Sequence, residues 1–242
     1  MKISVIGATG LIGSKVVDLL EGGGHDVVAA SRASGADVLT GEGLADALAG
    51  ADVLVDLTNS PSFDDGPVMD FFTRSSANLV AAAEQSGVGH YVALSIVGVE
   101  GLPESGYMRA KVVQEQTIAE SGLPYTIVRA TQFREFAEGI VGSLDAGDEV
   151  RVPDALIQPI AADDVAAEVA LVAVAVPLNG VVNIGGPDKI SFADLARTVL
   201  AKQGTDKTVV VDPQATYFGT RLQQDSLVTG NGANLGTLRF TD

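Results

Sequence analysis

A chain of 242 residues that is 46% apolar, with 28 glycines and 5% aromatic residues, is long enough for one α/β unit with an appendage and can bury a sizeable core. Its 31 acidic residues against 15 Lys and Arg leave a net charge of -16, which argues against nucleic acid or an anionic membrane as partner. The chain has no cysteine, so disulfides, zinc–thiolate sites and a thiol nucleophile are excluded.

The first twenty residues carry the strongest signal. Ile3, Val5 and Ile6 form a short apolar run that stops at Gly7, and Leu11, Ile12, Val16, Leu19 and Leu20 then recur with helical spacing. Strand, glycine turn and helix follow without a gap. Gly7, Gly10 and Gly13 lie three apart in that turn, a compact relative of the Gly-x-Gly-x-x-Gly dinucleotide fingerprint. Gly7 serves the tight turn, Gly10 lets the backbone approach a pyrophosphate, and Gly13 allows close packing of helix on strand. Thr9, Leu11 and Ile12 share in that contact, where the amides and dipole of the helix start favour an anion.

Val27 to Ala30 predict a second strand ending at Ser31-Arg32, and a brief third strand is expected at Ala36 to Val38. A helix near Gly43 to Ala49, a strand Val53 to Leu57, a loop Pro61 to Pro67 and a helix Val68 to Gln85 come next. Then come the strand His90 to Ser95, a loop Gly98 to Gly106, a helix from Tyr107 to Glu120 and the strand Tyr125 to Arg129. This alternation predicts a doubly wound, Rossmann-type parallel sheet with helices on both faces. From Phe133 the pieces shorten: a helix to Leu144, strands Glu149 to Val152, Val181 to Ile184 and Val209 to Val211, and helices Asp164 to Val176 and Phe192 to Lys202. We therefore expect a nucleotide-binding core over 1–132 and a small substrate-side subdomain over 133–242 that does not fold independently, with elements free to return to the sheet. The last forty residues show little periodicity.

The opening residues run straight into the first strand and do not look like a cleavable signal. The most apolar segment, Val165 to Leu178, contains Glu168, ends by Pro177 and is shorter than the ~20 residues a bilayer needs. The expectation is a cytoplasmic protein, monomer or homodimer. His25 and His90 lack carboxylate partners, and Asp163-Asp164 read as helix N-cap and first-turn charge, so no metal is expected.

The residues that can do chemistry are Ser95, Tyr107 and Lys111. Tyr107 and Lys111 are four apart on one helix face, and Ser95 closes a strand at the carboxyl edge, where open α/β sheets bind ligands. An adjacent ammonium is expected to move the phenol toward the working pH range, and the serine hydroxyl can hold a carbonyl oxygen beside it. At the end of the second strand, Ser31-Arg32 stands where an NAD-selective site places an acid, so Arg32 is expected to pair with a 2′-phosphate, making the cofactor NADP(H). Phe133, Phe136, Ile157, Tyr217 and Phe218 are candidates for an apolar substrate wall, or for ordinary core packing.

The stretches Gly7-Ala-Thr-Gly-Leu-Ile-Gly13, Ser95 with Tyr107-Met-Arg-Ala-Lys111, Tyr125-Thr-Ile-Val-Arg-Ala-Thr-Gln-Phe133, Gln158-Pro-Ile-Ala-Ala-Asp-Asp-Val165 and Asn183-Ile-Gly-Gly-Pro187 together resemble an atypical short-chain dehydrogenase/reductase of the NmrA-like branch. The resemblance implies a Ser95–Tyr107–Lys111 triad with Lys111 also on the nicotinamide ribose, and Ala130, Thr131, Gln132 and Phe133 near the nicotinamide. It implies Asp37 and Val38 on the adenine side, and Leu57, Thr58 and Asn59 beside the adenosine ribose. Many reductases of the superfamily add a helix asparagine, for which Asn78 is the candidate here. Many NmrA-like relatives lack the Tyr–Lys pair and act as nucleotide sensors. The expectation is thus an NADPH-dependent reductase of a carbonyl or related small-molecule acceptor, with a non-catalytic NADP(H)-sensing regulator as the alternative.

Overall fold

A computed structural model describes residues 1–241. The first half alternates β1 (Lys2–Ile6), α1 (Leu11–Gly22), β2 (Asp26–Ala30), α2 (Leu44–Leu48), β3 (Val53–Asp56), α3 (Asp65–Ser86), β4 (His90–Ile96), α4 (Gly106–Glu120) and β5 (Tyr125–Ala130). After it come α5 (Ala137–Ser143), β6 (Glu149–Val152), β7 (Leu156–Ile157), α6 (Ala162–Ala173), β8 (Gly180–Gly185), β9 (Ile190–Ser191) and α7 (Phe192–Gln203). The chain closes with β10 (Thr208–Val211), β11 (Thr216–Tyr217), β12 (Thr220–Arg221) and β13 (Asn234–Leu235).

Seven strands form one parallel sheet in the order β13-β8-β5-β4-β3-β1-β2. The order reverses at β1, whose neighbours are β2 on one side and β3 on the other, so the crevice beyond the ends of β1 and β3 is the topological switch point. Apolar residues on both strand faces explain why both are covered. Ile3, Val5, Val55 and Val92 pack with Ile12 and Val16 of α1 and Val165 and Val169 of α6. Ile6, Leu54, Tyr91 and Ala93 face Leu48 of α2, Leu79 of α3 and Ile118 of α4 on the other side.

The later residues split between two places. α6, β8 and β13 return to the sheet, while α5, β6, β7, α7 and β10 build a second core around Ile140, Val152, Ile157, Phe192 and Val199. β13 and the β11–β12 hairpin lie in the final forty residues, where the sequence gives no readable pattern. Among the described residues no helix is long and apolar enough to cross a membrane.

The expected third strand is absent. Ala36 and Val38 are buried, but Asp37 Oδ1 accepts from the amides of Leu39 at 2.7 Å and Thr40 at 3.3 Å, and the Ala36 amide bonds the Ser31 carbonyl at 3.0 Å. This local turn satisfies the backbone that a strand would have paired across the sheet. The next difference is at α3, which begins at Asp65 rather than Val68. Pro67 falls in its first turn, where a missing N–H costs nothing. The expected helix from Phe133 is a 3₁₀ turn, Arg134–Phe136, followed by α5.

Candidate active site

The glycine turn has the geometry its sequence calls for. Gly7 has φ +83°, and a Cβ there would lie 2.7 Å from the Leu57 carbonyl oxygen. A Cβ at Gly13 would run into the Gly7 carbonyl oxygen and lie 2.8 Å from Ala8 Cα, so α1 can pass this close to β1 only with glycine at 13. Thr9, Gly10 and Leu11 are exposed at the turn, Ile12 and Gly13 are buried behind it, and α1 has no acidic residue in its first turn to occupy its positive end. A side chain at 7 or 13 would collide with the backbone of Leu57 or of Gly7 and Ala8 and push the turn out of shape.

At the end of β2, the Ser34 hydroxyl accepts from the Ser31 amide and donates to the Ser31 carbonyl, both at 2.9 Å, fixing that loop. Arg32 beside it is exposed, and its guanidinium has no partner among the described residues. Val38 is held from the other side, its carbonyl accepting from Asn78 Nδ2 at 2.9 Å. Asn78, the candidate helix asparagine, thus spends its amide on the loop after β2. A cavity of about 480 Å³ opens along the outer edge of β2, but Glu42 and Asp46 line it and would repel phosphate, so we place no cofactor there.

Ser95, Tyr107 and Lys111 come from β4 and α4. Ser95 is 4% exposed, and its Oγ has no hydrogen-bond partner among the described residues. Tyr107 donates to Asn59 Oδ1 at 3.1 Å. Lys111, 3% exposed, donates to the Leu94 carbonyl at 2.8 Å and to Gln114 Oε1, with its ammonium 4.7 Å from the Phe72 ring centroid. Because α4 runs back against the strands, Tyr107 stands ~6 Å nearer the carboxyl edge than Lys111.

The expected lowering of the Tyr107 pKa by Lys111 is not what the structure gives. Burial pushes the phenol up to about 12, offset in part by the Asn59 hydrogen bond, and the ammonium is engaged with Leu94 and Gln114 instead. Tyr107 is accordingly a neutral phenol throughout the physiological range. Burial brings Lys111 down to about 8 against the opposing pull of Asp56 and Glu115.

Beneath these groups lies a polar network that the sequence did not announce. Asp56, at the end of β3, accepts from the Tyr91 hydroxyl at 3.0 Å, from Gln114 Nε2 at 2.8 Å, and from the Thr58 amide and hydroxyl at 3.0 and 2.7 Å. Each carboxylate oxygen has two donors, which lets a charge sit 1% exposed in the core. Gln114 links Asp56 to Lys111. The only sequence signal for this was polar side chains in otherwise apolar segments: Asp56 after Val53-Leu-Val, and Gln114 on the buried face of α4.

Beyond β5, Thr131 and Gln132 are tied in by backbone: the Thr131 amide bonds the Ile184 carbonyl at 3.0 Å, and the Gln132 carbonyl accepts from the Ile160 amide at 2.9 Å. Gln132 Oε1 is buried and without a partner. Leu57, Ala130 and Phe133 pack on the α1/α6 face of the sheet. Of the expected wall residues, Phe218 reaches Tyr107, stacked on its ring at 6.1 Å, and Tyr217 packs edge-on against Phe218 at 4.8 Å. Phe133 and Phe136 pair with each other at 5.6 Å, and Ile157 is wholly inside the second core. Phe63, from the loop after β3, completes the ring cluster at 5.2 Å from Tyr107 and was not anticipated.

The other singled-out residues have structural roles. His90 Nε2 lies 2.9 Å from Thr126 Oγ1, and burial lowers its pKa. Asp163 pairs with Lys15 at 2.6 Å, and Asp164 accepts from the Thr237 and Leu238 amides, tying down the C-terminal segment. The cap of α6 is not one of these aspartates: its Ala162 amide is held by the Glu135 carboxylate at 3.1 and 3.2 Å.

A sequence profile described as NAD(P)H-binding matches residues 7–175. Photosystem II assembly factors Ycf39 from Synechocystis sp. and Cyanophora paradoxa are 27% and 30% identical over 156 residues, in each case 59% of this chain. The chain spans about half the length of these curated relatives, 47% and 48%. Among solved structures, MoeE5 in complex with UDP-glucuronic acid and NAD superposes with a TM-score of 0.73 at 20% identity, covering 98% of this chain and 94% of that one. The dTDP-4-dehydrorhamnose reductase of Bacillus anthracis in complex with NADP gives 0.70 at 15% identity, covering 92% and 90%. At these identities the superpositions establish the fold.

Proposed function

The chain belongs to the NAD(P)H-binding family of atypical short-chain dehydrogenases/reductases, and on that premise we propose that it uses NADPH to reduce the carbonyl group of a small molecule. The observation that carries this reading is Ser95, whose hydroxyl is buried at the carboxyl end of β4 with no hydrogen-bond partner among the described residues. Buried polar atoms are rarely left without a partner, and a substrate oxygen supplies the one this hydroxyl lacks.

The glycine turn and the start of α1 hold the pyrophosphate, and Ser31 and Arg32 hold the 2′-phosphate. Gln132 Oε1, the other orphaned acceptor at this edge, is free to take an amide donor from the nicotinamide side. When bound, the reduced nicotinamide supplies a hydride. Ser95 donates to the carbonyl oxygen and fixes its position. Tyr107, neutral because burial holds its pKa near 12, turns its hydroxyl from Asn59 to the substrate oxygen and gives it the proton as charge develops there. Lys111 anchors the Leu94 carbonyl and so the strand end on which Ser95 stands. Contact with the nicotinamide ribose would require it to leave Gln114.

A second reading, a nucleotide-responsive assembly or regulatory protein without turnover, is favoured by the names of the curated relatives. Mixing the protein with NADPH and a panel of ketones, aldehydes, quinones and imines separates the two. Sustained NADPH oxidation supports the reductase. No oxidation across the panel, together with stoichiometric co-purification of one partner protein, supports the regulator.

A further inference from the structure

Phe218 occupies a backbone conformation that its side chain disfavours. It has φ +49° and is followed by Gly219 at φ +78°, so the two residues between β11 and β12 form a primed hairpin turn, the kind for which Asn-Gly or Asp-Gly is the low-strain choice. A phenylalanine in that position is a genuine outlier among L-residues. Its ring is 43% exposed, so core burial does not account for it.

What the ring does is close over Tyr107. It stacks on the Tyr107 ring with centroids 6.1 Å apart and planes 30° apart, and meets Phe63, itself 52% exposed, at 5.6 Å. Phe63 also touches Tyr107, edge-on at 5.2 Å. The hairpin is anchored from below, because Tyr217 packs against Phe192 at 5.8 Å in the second core and against Phe218 at 4.8 Å. Two exposed aromatic rings from separate loops, one of them held in a strained turn, thus converge on the residue assigned as proton donor. Strain of this kind persists where the surrounding structure imposes it and function uses it.

We infer that Phe63 and Phe218 are the two jaws of a slot that takes a flat aromatic ring conjugated to the carbonyl, so that the substrate is an aryl carbonyl compound rather than an aliphatic one. A ring stacked between two others needs ~7 Å between its neighbours, two carbon contact distances. The Phe63 and Phe218 centroids lie 5.6 Å apart with their planes at 52°, so in the empty protein the jaws rest on each other, and the hairpin tip must swing outward by more than an ångström and bring the rings toward parallel to admit a ligand. This inference rests on the reductase reading for the word substrate, but the slot itself stands on the ring geometry.

The test is equilibrium binding to the NADP⁺-loaded protein, in which no reduction can occur. Acetylnaphthalene and acetyldecalin carry the same acetyl group on a flat and a puckered ten-carbon bicycle. Affinities can be read from calorimetry, and naphthyl fluorescence gives a second readout in a chain without tryptophan. We expect the aryl ketone to bind at least tenfold more tightly, and removal of either jaw to weaken it about two- to tenfold. Phe218→Asn is the informative variant: it relieves the turn, so the melting temperature should hold or rise while aryl ketone affinity falls. Phe63→Leu, outside the hairpin, should give the same loss of affinity. Equal affinities for the two ketones, no measurable binding of acetylnaphthalene, or wild-type affinity in Phe218→Asn and Phe63→Leu would overturn the slot. Aryl-selective binding with no reduction by NADPH would uphold the slot and sink the reductase reading. Reduction of both ketones with equal affinity would do the reverse.

Discussion

Replacing Lys111 with Met should change how stability depends on pH, and the size of the change follows from the structure. The ammonium is 3% exposed, and its pKa is brought from 10.5 to about 8 by burial. A lysine whose folded pKa lies below its unfolded value binds its proton more weakly in the native state. Its cost to folding is therefore fully present below pH 8, shrinks as pH rises, and vanishes above 10.5. At about 1.4 kcal/mol for each pH unit, that interval corresponds to ~3 kcal/mol. Met fills similar volume without charge, and Asp56 retains its bonds to Tyr91, Gln114 and Thr58 in the variant. Urea unfolding of both proteins at intervals from pH 7 to 10.5 gives the difference in stability at each pH. The wild type should gain on the variant by ~3 kcal/mol across that range. The buried tyrosines, whose pKa values burial raises, destabilise both proteins alike at alkaline pH and cancel in the difference. A difference that stays flat with pH would mean that Lys111 is not the desolvated cation described here.

Arg32→Glu should abolish a preference for NADPH over NADH of roughly ten- to a hundredfold, measured by titrating both cofactors, and equal affinities in the wild type would remove Arg32 from the phosphate site. Gly13→Ala would push a methyl group into the Gly7 carbonyl and Ala8. We expect a loss of ~1 to 3 kcal/mol in stability and at least a tenfold loss in NADPH affinity, read by melting and by nucleotide fluorescence; wild-type affinity would contradict the cradle. Ser95→Ala should leave NADPH affinity and melting temperature unchanged, since the hydroxyl has no hydrogen-bond partner among the described residues, yet lower kcat/KM at least tenfold.

What could be read in the sequence was whatever depends on near neighbours. Gly7, Gly10 and Gly13 announce a strand–turn–helix because the steric demand acts within a few residues, and Tyr107 and Lys111 share a helix face by periodicity alone. Where their tips go was not legible. The Lys111 ammonium found the Leu94 carbonyl 17 positions upstream and Gln114 one turn on, and Tyr107 found Asn59, 48 positions away. Those choices are made by packing between α4 and the strand ends, which no local pattern encodes. The missing third strand has a local cause: the Asp37 carboxylate supplies a turn that outcompetes strand pairing. The β11–β12 hairpin escaped notice for the opposite reason, since Phe218-Gly219 is not a pair that ordinarily marks a two-residue turn.

The account turns on Tyr107 as the proton donor of a reductase. With an acceptor identified, single-turnover reduction by NADPH carrying two deuterons at nicotinamide C4 can be compared in the wild type and Tyr107→Phe. The account predicts deuterium in the product alcohol of the wild type, with a rate ~10² to 10⁴-fold lower in the variant at unchanged NADPH affinity. Equal single-turnover rates in the two proteins, or a product free of deuterium, would contradict it.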